Sequence, residues 1–407
     1  MAEPSLMQQV NDWLINQALG EPDIVELFEG VCLRLSGIGV PIGRGLLMWP
    51  TLHPLFQAEN VVWRRGQAAE LRQFVHQDVA TEAWVKSPMR FLVENGVPVM
   101  RRRLTGPQKI LDYDILREFA EEGFTDYLLM ATPLFGSPLH LDKRQRGIMV
   151  SWCSDQPGGF SDEDLAGIQR MQQRLAIAAK TVLQERVARN ITEAYLGRLT
   201  GEKVIRGSIR LGDGEQTRAL VWYSDLRSST HLAETMPSAD FLELLNVYFE
   251  CAARPVIAAG GEVLAFIGDA VLGIFPMEDD GRRAEVTRGV MAALRESLDN
   301  ADRINAERGA SGQAQIRYGI GLNFGSVMYG NIGVPERLSF SAVGPTVIEV
   351  ARIEKLTKRL GSRVLATKEV ASIEPHHWRS MGHQPLEGMG ETQELFGFRE
   401  EAARNAA

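Results

Sequence analysis

Ala219-Leu-Val-Trp-Tyr-Ser-Asp225-Leu-Arg-Ser-Ser-Thr230 and, further on, Gly261-Glu-Val-Leu-Ala-Phe-Ile-Gly-Asp269-Ala-Val-Leu-Gly-Ile-Phe275 decide the fold of this chain. Each is an apolar run of strand composition with an aspartate at its end or at a turn. In the first, Asp225 closes a strand and Leu226, Arg227, Ser228, Ser229 and Thr230 lead into a helix. Backbone N–H groups at such a strand-to-helix turn point outward and suit phosphate. Phosphate would repel an acid beside them unless a cation lay between, so the combination implies Mg2+ or Mn2+. In the second, Gly268 permits a tight hairpin tip that presents Asp269. Two carboxylates sharing two ions about 3.5–4 Å apart can polarise a hydroxyl and neutralise a leaving pyrophosphate. The plainer reading keeps both as turn acids, since Asp beside Gly is common at hairpin tips. Spacing alone leaves both readings open.

Outward from these stretches, strands and helices alternate. Strand 219–224 precedes a helix over 238–253, with Phe241, Leu244, Leu245, Tyr248 and Phe249 at core spacing. Two strands flank Gly268-Asp269, and a helix follows from near Arg282 to Arg308. A strand over Ile316–Leu322, a glycine-marked turn and a strand over Val327–Ile332 come next. A helix near Thr346–Leu360, a strand Arg363–Ala366 and a hairpin ending at Leu395–Phe398 complete an α+β domain over 215–398, with a disordered tail at 399–407. Upstream, the glycine- and charge-rich segment Gly197–Gly214 reads as a linker. Before it, Ser161 caps a long helix to about Tyr195, with Leu165, Ile168, Leu175 and Val182 at helical spacing. That helix either closes the first domain or serves as a dimerising connector; residues 161–214 are read as connector and linker. The first domain, 1–160, opens with a helix over Pro4–Gly20. Strands are expected over Val31–Val40, Gly45–Leu52, Val97–Leu104, Asp126–Phe135 and Gly147–Cys153, with a loop over Gly136–Arg146.

The 407 residues suit two domains or three, and 44% apolar with 24% charged residues is the composition of a soluble globular protein. A net charge of −8 argues against nucleic acid as the main partner. The longest apolar stretch, Val256–Phe275, is broken by Glu262 and Asp269 and does not read as a membrane span. No secretory signal precedes it. Cys32, Cys153 and Cys251 have no metal spacing and are expected as buried thiols, which places the protein in the cytoplasm.

The two opening stretches are followed, in order, by Tyr318-Gly-Ile-Gly-Leu-Asn-Phe-Gly-Ser326-Val-Met-Tyr-Gly-Asn-Ile-Gly333 and Ala342-Val-Gly-Pro345-Thr-Val-Ile-Glu-Val-Ala-Arg352-Ile-Glu354. Together they resemble the catalytic domain of class III nucleotidyl cyclases over about Thr217–Phe398. The resemblance implies a ferredoxin-like core and an NTP bound between protomers of a homodimer, with a heterodimer as the alternative. It implies Asp225 and Asp269 as holders of two Mg2+ or Mn2+ ions, and Arg352 as the group that stabilises the transition state. Without the resemblance, Arg352 reads as a surface charge paired with Glu349. Several matched positions depart from the family. The base-reading lysine falls at Ala265 and its partner at Ser341. The ribose-orienting asparagine falls at Ile348, and a triphosphate-binding cation at Glu387. ATP is the default substrate, with GTP or a pyrimidine nucleotide open.

Phe124-Thr-Asp-Tyr-Leu-Leu-Met-Ala-Thr-Pro133, Arg146-Gly-Ile-Met-Val-Ser-Trp-Cys-Ser-Asp155 and Gly158-Gly-Phe-Ser-Asp-Glu-Asp-Leu165 resemble the closing strands and helix of a GAF-like sensor domain. His53, Trp63, His76, Trp84 and Arg101–Arg103 could line a pocket there, but core packing or solvated surface explains each of them. Besides an active cyclase, the departures fit a catalytically impaired nucleotide-binding signalling protein or the metal-bearing half of a heteromeric cyclase.

Overall fold

A computed structural model describes residues 4–20, 22–76, 81–134, 147–277 and 280–399. The chain divides into two units, Met1–Ala194 and Tyr195–Ala407.

In the first unit, strands β1 (Arg44–Pro50), β2 (Phe56–Arg64), β3 (Glu70–Val75), β4 (Val99–Arg103), β5 (Asp126–Pro133) and β6 (Gly147–Ser154) form one antiparallel sheet. Its order is β3-β2-β1-β6-β5-β4. Strand β6 is buried along its whole length, because helices cover both faces of the sheet. Leu128, Met130, Val150 and Trp152 pack against helices Pro4–Ala18, Ile24–Gly37 and Asp162–Leu196. Tyr127, Leu129, Met149 and Cys153 face helices Pro88–Asn95 and Asp114–Glu121.

The strand expected over Val31–Val40 is instead the end of helix Ile24–Gly37. Ile24, Leu27, Phe28, Val31, Cys32 and Leu35 recur at helical spacing and are all buried, and Asp23 caps the helix through Val25 N–H at 2.7 Å. Helix Asp162–Leu196 starts on a capping box. Asp164 N–H donates to Ser161 Oγ at 3.1 Å, and Ser161 N–H donates to Asp164 Oδ2 at 3.0 Å. The helix buries Ile168, Met171, Leu175 and Val182, and no residue past Leu183. The expected loop 136–146 lies outside the described residues.

In the second unit, β7 (Gly214–Leu226), β8 (Glu262–Ile267), β9 (Ala270–Met277) and β10 (Tyr318–Val334) alternate with helices Ser238–Ala252 and Arg283–Ala310. They form a β-α-β-β-α-β unit in the spatial order β10-β7-β9-β8, a ferredoxin-like arrangement. β11 (Arg337–Val343), which the sequence reading missed, makes a hairpin with β10. β12 (Val364–Thr367) pairs parallel to β10, and β14 (Thr392–Phe398) and β13 (Trp378–Pro385) extend that edge.

The turn expected between Leu322 and Val327 does not exist; β10 runs straight through. Its glycines serve helix Pro345–Arg359, which lies on the strand. A Cβ on Gly321 would sit 2.5 Å from the Val350 carbonyl oxygen. The supposed linker 197–214 also differs, since it contains helix Arg198–Ile205. Thr200 N–H and Oγ1 donate to buried Glu262 at 2.9 and 3.0 Å, and Tyr329 Oη donates at 3.0 Å. Burial and the neighbouring Glu262 carboxylate hold the Tyr329 hydroxyl far above its ordinary range. Arg399 N–H donates to the His377 carbonyl at 2.7 Å, so the chain is anchored there; the expected disordered tail 400–407 lies outside the described residues. Cys32, Cys153 and Cys251 are buried free thiols. Among the described residues no helix is long and apolar enough to cross a membrane.

Candidate active site

Asp225 sits in β7 opposite Ala270 of β9 and Gly319 of β10. Asp269 occupies the β8–β9 turn after Gly268, whose φ of 65° is left-handed and favours glycine. Leu226 N–H donates to the Asp269 carbonyl at 3.3 Å, which ties the turn to the end of β7. The structure thus brings the two acids together. The Asp225 carboxyl is pushed up to about 6 by burial, then by the charge of Asp269 and a hydrogen bond with it.

A third acid joins them that sequence reasoning had not placed in the site. Glu354 is 5% exposed, and burial, then the charge of Asp225, pushes it up to about 7. Gly319 makes the room: a Cβ there would run into Glu354 Oε1 and Thr357 Oγ1. Burial and then Asp225, Glu354 and Asp269 also push the Tyr223 hydroxyl up to about 12. A signal for Glu354 existed in the sequence. It shares a helix face with Val350, Ile353 and Thr357, and an acid on an apolar face needs a reason.

None of the three acids has an ion-pair partner among the described residues; Glu354 accepts a hydrogen bond from Thr357 at 3.2 Å. A cluster of oxygen donors in which burial and then mutual charge raise Asp225 and Glu354 fits a hard divalent cation. A second candidate cluster does not fit one. Glu374, His376 and His377 place ligand atoms within 4.8 Å of one another, but Arg295 Nη2 stands 2.9 Å from His377 Nε2 and brings positive charge into the cluster.

The turn after Asp225 is only partly the phosphate cradle expected. Leu226 N–H is engaged by Asp269, and Arg227 N–H donates to the Arg317 carbonyl at 2.7 Å. The Arg227 guanidinium donates to the Ser362 carbonyl at 3.2 Å. These N–H groups are committed to backbone, which removes Leu226 and Arg227 as amide donors to phosphate. Ser228 takes a left-handed φ of 61° and starts the short helix Ser229–Thr235; Ser228 and Thr230 are exposed.

Ala265 lies on β8, one residue after a bulge, and Ser341 lies on β11, which runs beside β8. Ile348 is 54% exposed on helix Pro345–Arg359. Arg352, on the same helix, does not pair with Glu349. Glu349 instead accepts from Asn323 Nδ2 at 2.8 Å, and Arg352 opens into a cavity of about 350 Å³ bounded by Pro385–Glu387.

No family model matches the chain. In sequence the chain is similar to adenylate cyclases. It is 30% identical over 164 residues to an adenylate cyclase of Anabaena cylindrica, a match covering 40% of this chain and 32% of that protein. It is 32% identical over 163 residues to the terminal-differentiation-specific adenylate cyclase of Dictyostelium discoideum, covering 40% of this chain and 7% of that one. The chain thus spans about a third or less of the length of these curated relatives. Among solved structures it is similar to a bacterial light-regulated adenylyl cyclase, with a TM-score of 0.45 and 20% identity over 63% of this chain and 84% of that one. It is also similar to the adenylyl cyclase CyaB of P. aeruginosa, with a TM-score of 0.40 and 21% identity over 46% of this chain and 95% of that one.

At the positions where the sequence resemblance would put contacts to base and ribose, the chain carries Ala265, Ser341 and Ile348. A serine hydroxyl can still donate to or accept from a base edge; alanine and isoleucine offer no polar atom.

Proposed function

We propose that the second unit is a nucleotidyl cyclase that converts an NTP, ATP by default, into a 3′,5′-cyclic nucleotide and pyrophosphate. The observation that carries this reading is the contact of Asp225 with Asp269 beside buried Glu354, acids with no ion-pair partner among the described residues. The sequence likeness to adenylate cyclases supports it.

Asp225 and Asp269 would hold two Mg2+ or Mn2+ ions, and Glu354 would set their field from behind. When bound, such ions lower the pKa of the substrate hydroxyl and neutralise charge on the leaving pyrophosphate. The 3′-hydroxyl would release its proton to solvent as its oxygen bonds to the α-phosphorus and the bond to the pyrophosphate oxygen breaks. Arg352 offers a planar guanidinium to the charge that develops on the phosphoryl oxygens. Apolar residues Phe266, Ile267, Met328, Val334 and Ile348 are exposed on this unit, which supports a second copy covering them in a homodimer. The first unit, a six-stranded antiparallel sheet with helices on both faces, supports a GAF-like sensor reading, and helix Asp162–Leu196 would serve as the connector. Ala265 and Ile348 favour a second reading, in which the chain is the metal-bearing half of a heteromeric cyclase or a nucleotide-binding signalling protein.

The test is purified full-length chain with each NTP and Mn2+, assayed for cyclic product. A product from at least one NTP that disappears in Asp225→Ala is expected. No product from any NTP, alone or mixed with a cyclase lacking its own aspartates, overturns the enzymatic reading.

A further inference from the structure

Arg44 opens strand β1 of the first unit and is 7% exposed. In the sheet it lies opposite Cys153 of β6, which in turn lies opposite Tyr127 of β5. Cys153 and Tyr127 face helices Pro88–Asn95 and Asp114–Glu121, and the Phe119 ring of the second helix lies over the Arg44 guanidinium at 4.7 Å to its centroid. Among the described residues no carboxylate pairs with Arg44, and its buried Nε has no acceptor. Its neighbour across the ladder, Arg64, is matched by Glu122 at 2.7 Å. The groups beside Arg44 do not supply a counter-charge either. Burial holds the Tyr127 hydroxyl far above its ordinary range and pushes the Cys153 thiol up to about 12, so both stay neutral near pH 7. Arg44 thus departs from the unit's buried acids Asp126 and Glu59, each of which is held by an arginine.

A guanidinium taken out of water needs a partner of opposite charge, and the face of one phenyl ring supplies only part of what is lost. We propose that Arg44 binds the carboxylate of a small organic acid inside the first unit, between the sheet and helix Asp114–Glu121. A single cation matches a monoanion, and the planar fork of the guanidinium offers a carboxylate two parallel hydrogen bonds. A phosphate dianion would bring more charge than Arg44 can match in surroundings built from Phe119, Tyr127 and Cys153. These side chains suit an acid with a short apolar body. Helix Asp114–Glu121 is eight residues long and buries Leu116 and Phe119, so it is a lightly held wall and the side on which the site opens. The inference is independent of the cyclase reading of the second unit.

Thermal unfolding of the full chain by differential scanning calorimetry tests it, with sodium acetate or sodium benzoate as probe and sodium chloride and sodium phosphate at equal ionic strength as controls. A saturating carboxylate should raise the Tm of the first unit by about 5 °C over the controls. Arg44→Met keeps an apolar stem and should abolish that rise. Because it removes a buried unpaired charge, it should also lift the ligand-free Tm by about 3 °C, a gain that misfolding cannot mimic. Arg44→Lys keeps the charge without the fork and should weaken carboxylate binding about ten-fold. A ligand-free Tm that falls in Arg44→Met marks Arg44 as a structural cation and overturns the proposal. So does a wild type that neither carboxylate stabilises beyond the controls, a rise as large with phosphate or chloride, or a rise that persists in Arg44→Met.

Discussion

The two units treat buried acids in opposite ways. In the first, Asp126 has no exposed side-chain surface, and Arg101 grips it at 2.6 Å with Arg103 at 3.2 Å and Phe160 N–H at 3.0 Å. Glu59, at 1% exposure, accepts from Arg186 at 2.9 Å, Gln73 at 2.7 Å and Trp49 at 3.2 Å. Burial alone would raise Glu59, but the bonds from Arg186 and Gln73 bring it below its ordinary range. In the second unit Asp225 lies against Asp269, and Glu354 feels the charge of Asp225, with no ion-pair partner for any of the three among the described residues. Glu262 of the same unit, with Thr200 and Tyr329 as partners, shows that this unit satisfies buried acids elsewhere. Paired charge holds a structure together. Like charges held together weaken the free protein and wait for a ligand of opposite sign.

The largest effect expected from breaking this contrast is on activity. Asp269→Asn or Asp225→Asn should lower cyclic-nucleotide formation at least about 1,000-fold, because the ion site loses a charged ligand. Circular dichroism should show both variants folded, since neither loses a structural partner.

Next in size is the reverse change in the first unit. Arg186→Leu strips Glu59 of its charge partner and should cost about 3 kcal/mol in urea unfolding. An equal loss from Asp225→Asn would erase the contrast.

A smaller gain is expected at the depleted half of the site. Ile348→Asn supplies a polar atom on an exposed helix position and should raise kcat/KM about ten-fold. A drop instead would mean that Ile348 packs against a second copy.

The smallest effect is on the pH dependence of stability. Asp225 and Glu354 have folded values near 6 and 7, above their ordinary 3.8 and 4.5. Between about pH 4 and 7 the folded state therefore binds more protons than the unfolded state. This contribution is full below the ordinary values and is lost as pH rises through 6 to 7. Without divalent ions, Tm should fall over that window, and Asp225→Asn should flatten the fall in differential scanning calorimetry.

Much of this was legible in the sequence, and the misses have physical causes. Asp225 and Asp269 were readable because strand ends and glycine turns leave local marks. The end of helix Ile24–Gly37 was mistaken for strand because exposed Leu33 joins buried Val31, Cys32 and Leu35 into a short, nearly continuous apolar run. The glycines of β10 read as a turn, though they exist to admit helix Pro345–Arg359. Glu354 left a mark as an acid on the apolar face with Val350, Ile353 and Thr357, but its meaning lies in Asp225, which is far from it in sequence.

The most direct test is Mn2+ binding followed by electron paramagnetic resonance at pH 7.5. The account predicts that wild type takes up Mn2+ and that Asp225→Asn and Asp269→Asn each lose most of it, while Glu59→Gln in the first unit keeps it. Equal uptake by wild type and both aspartate variants would contradict the claim that the crowded acids are an ion site.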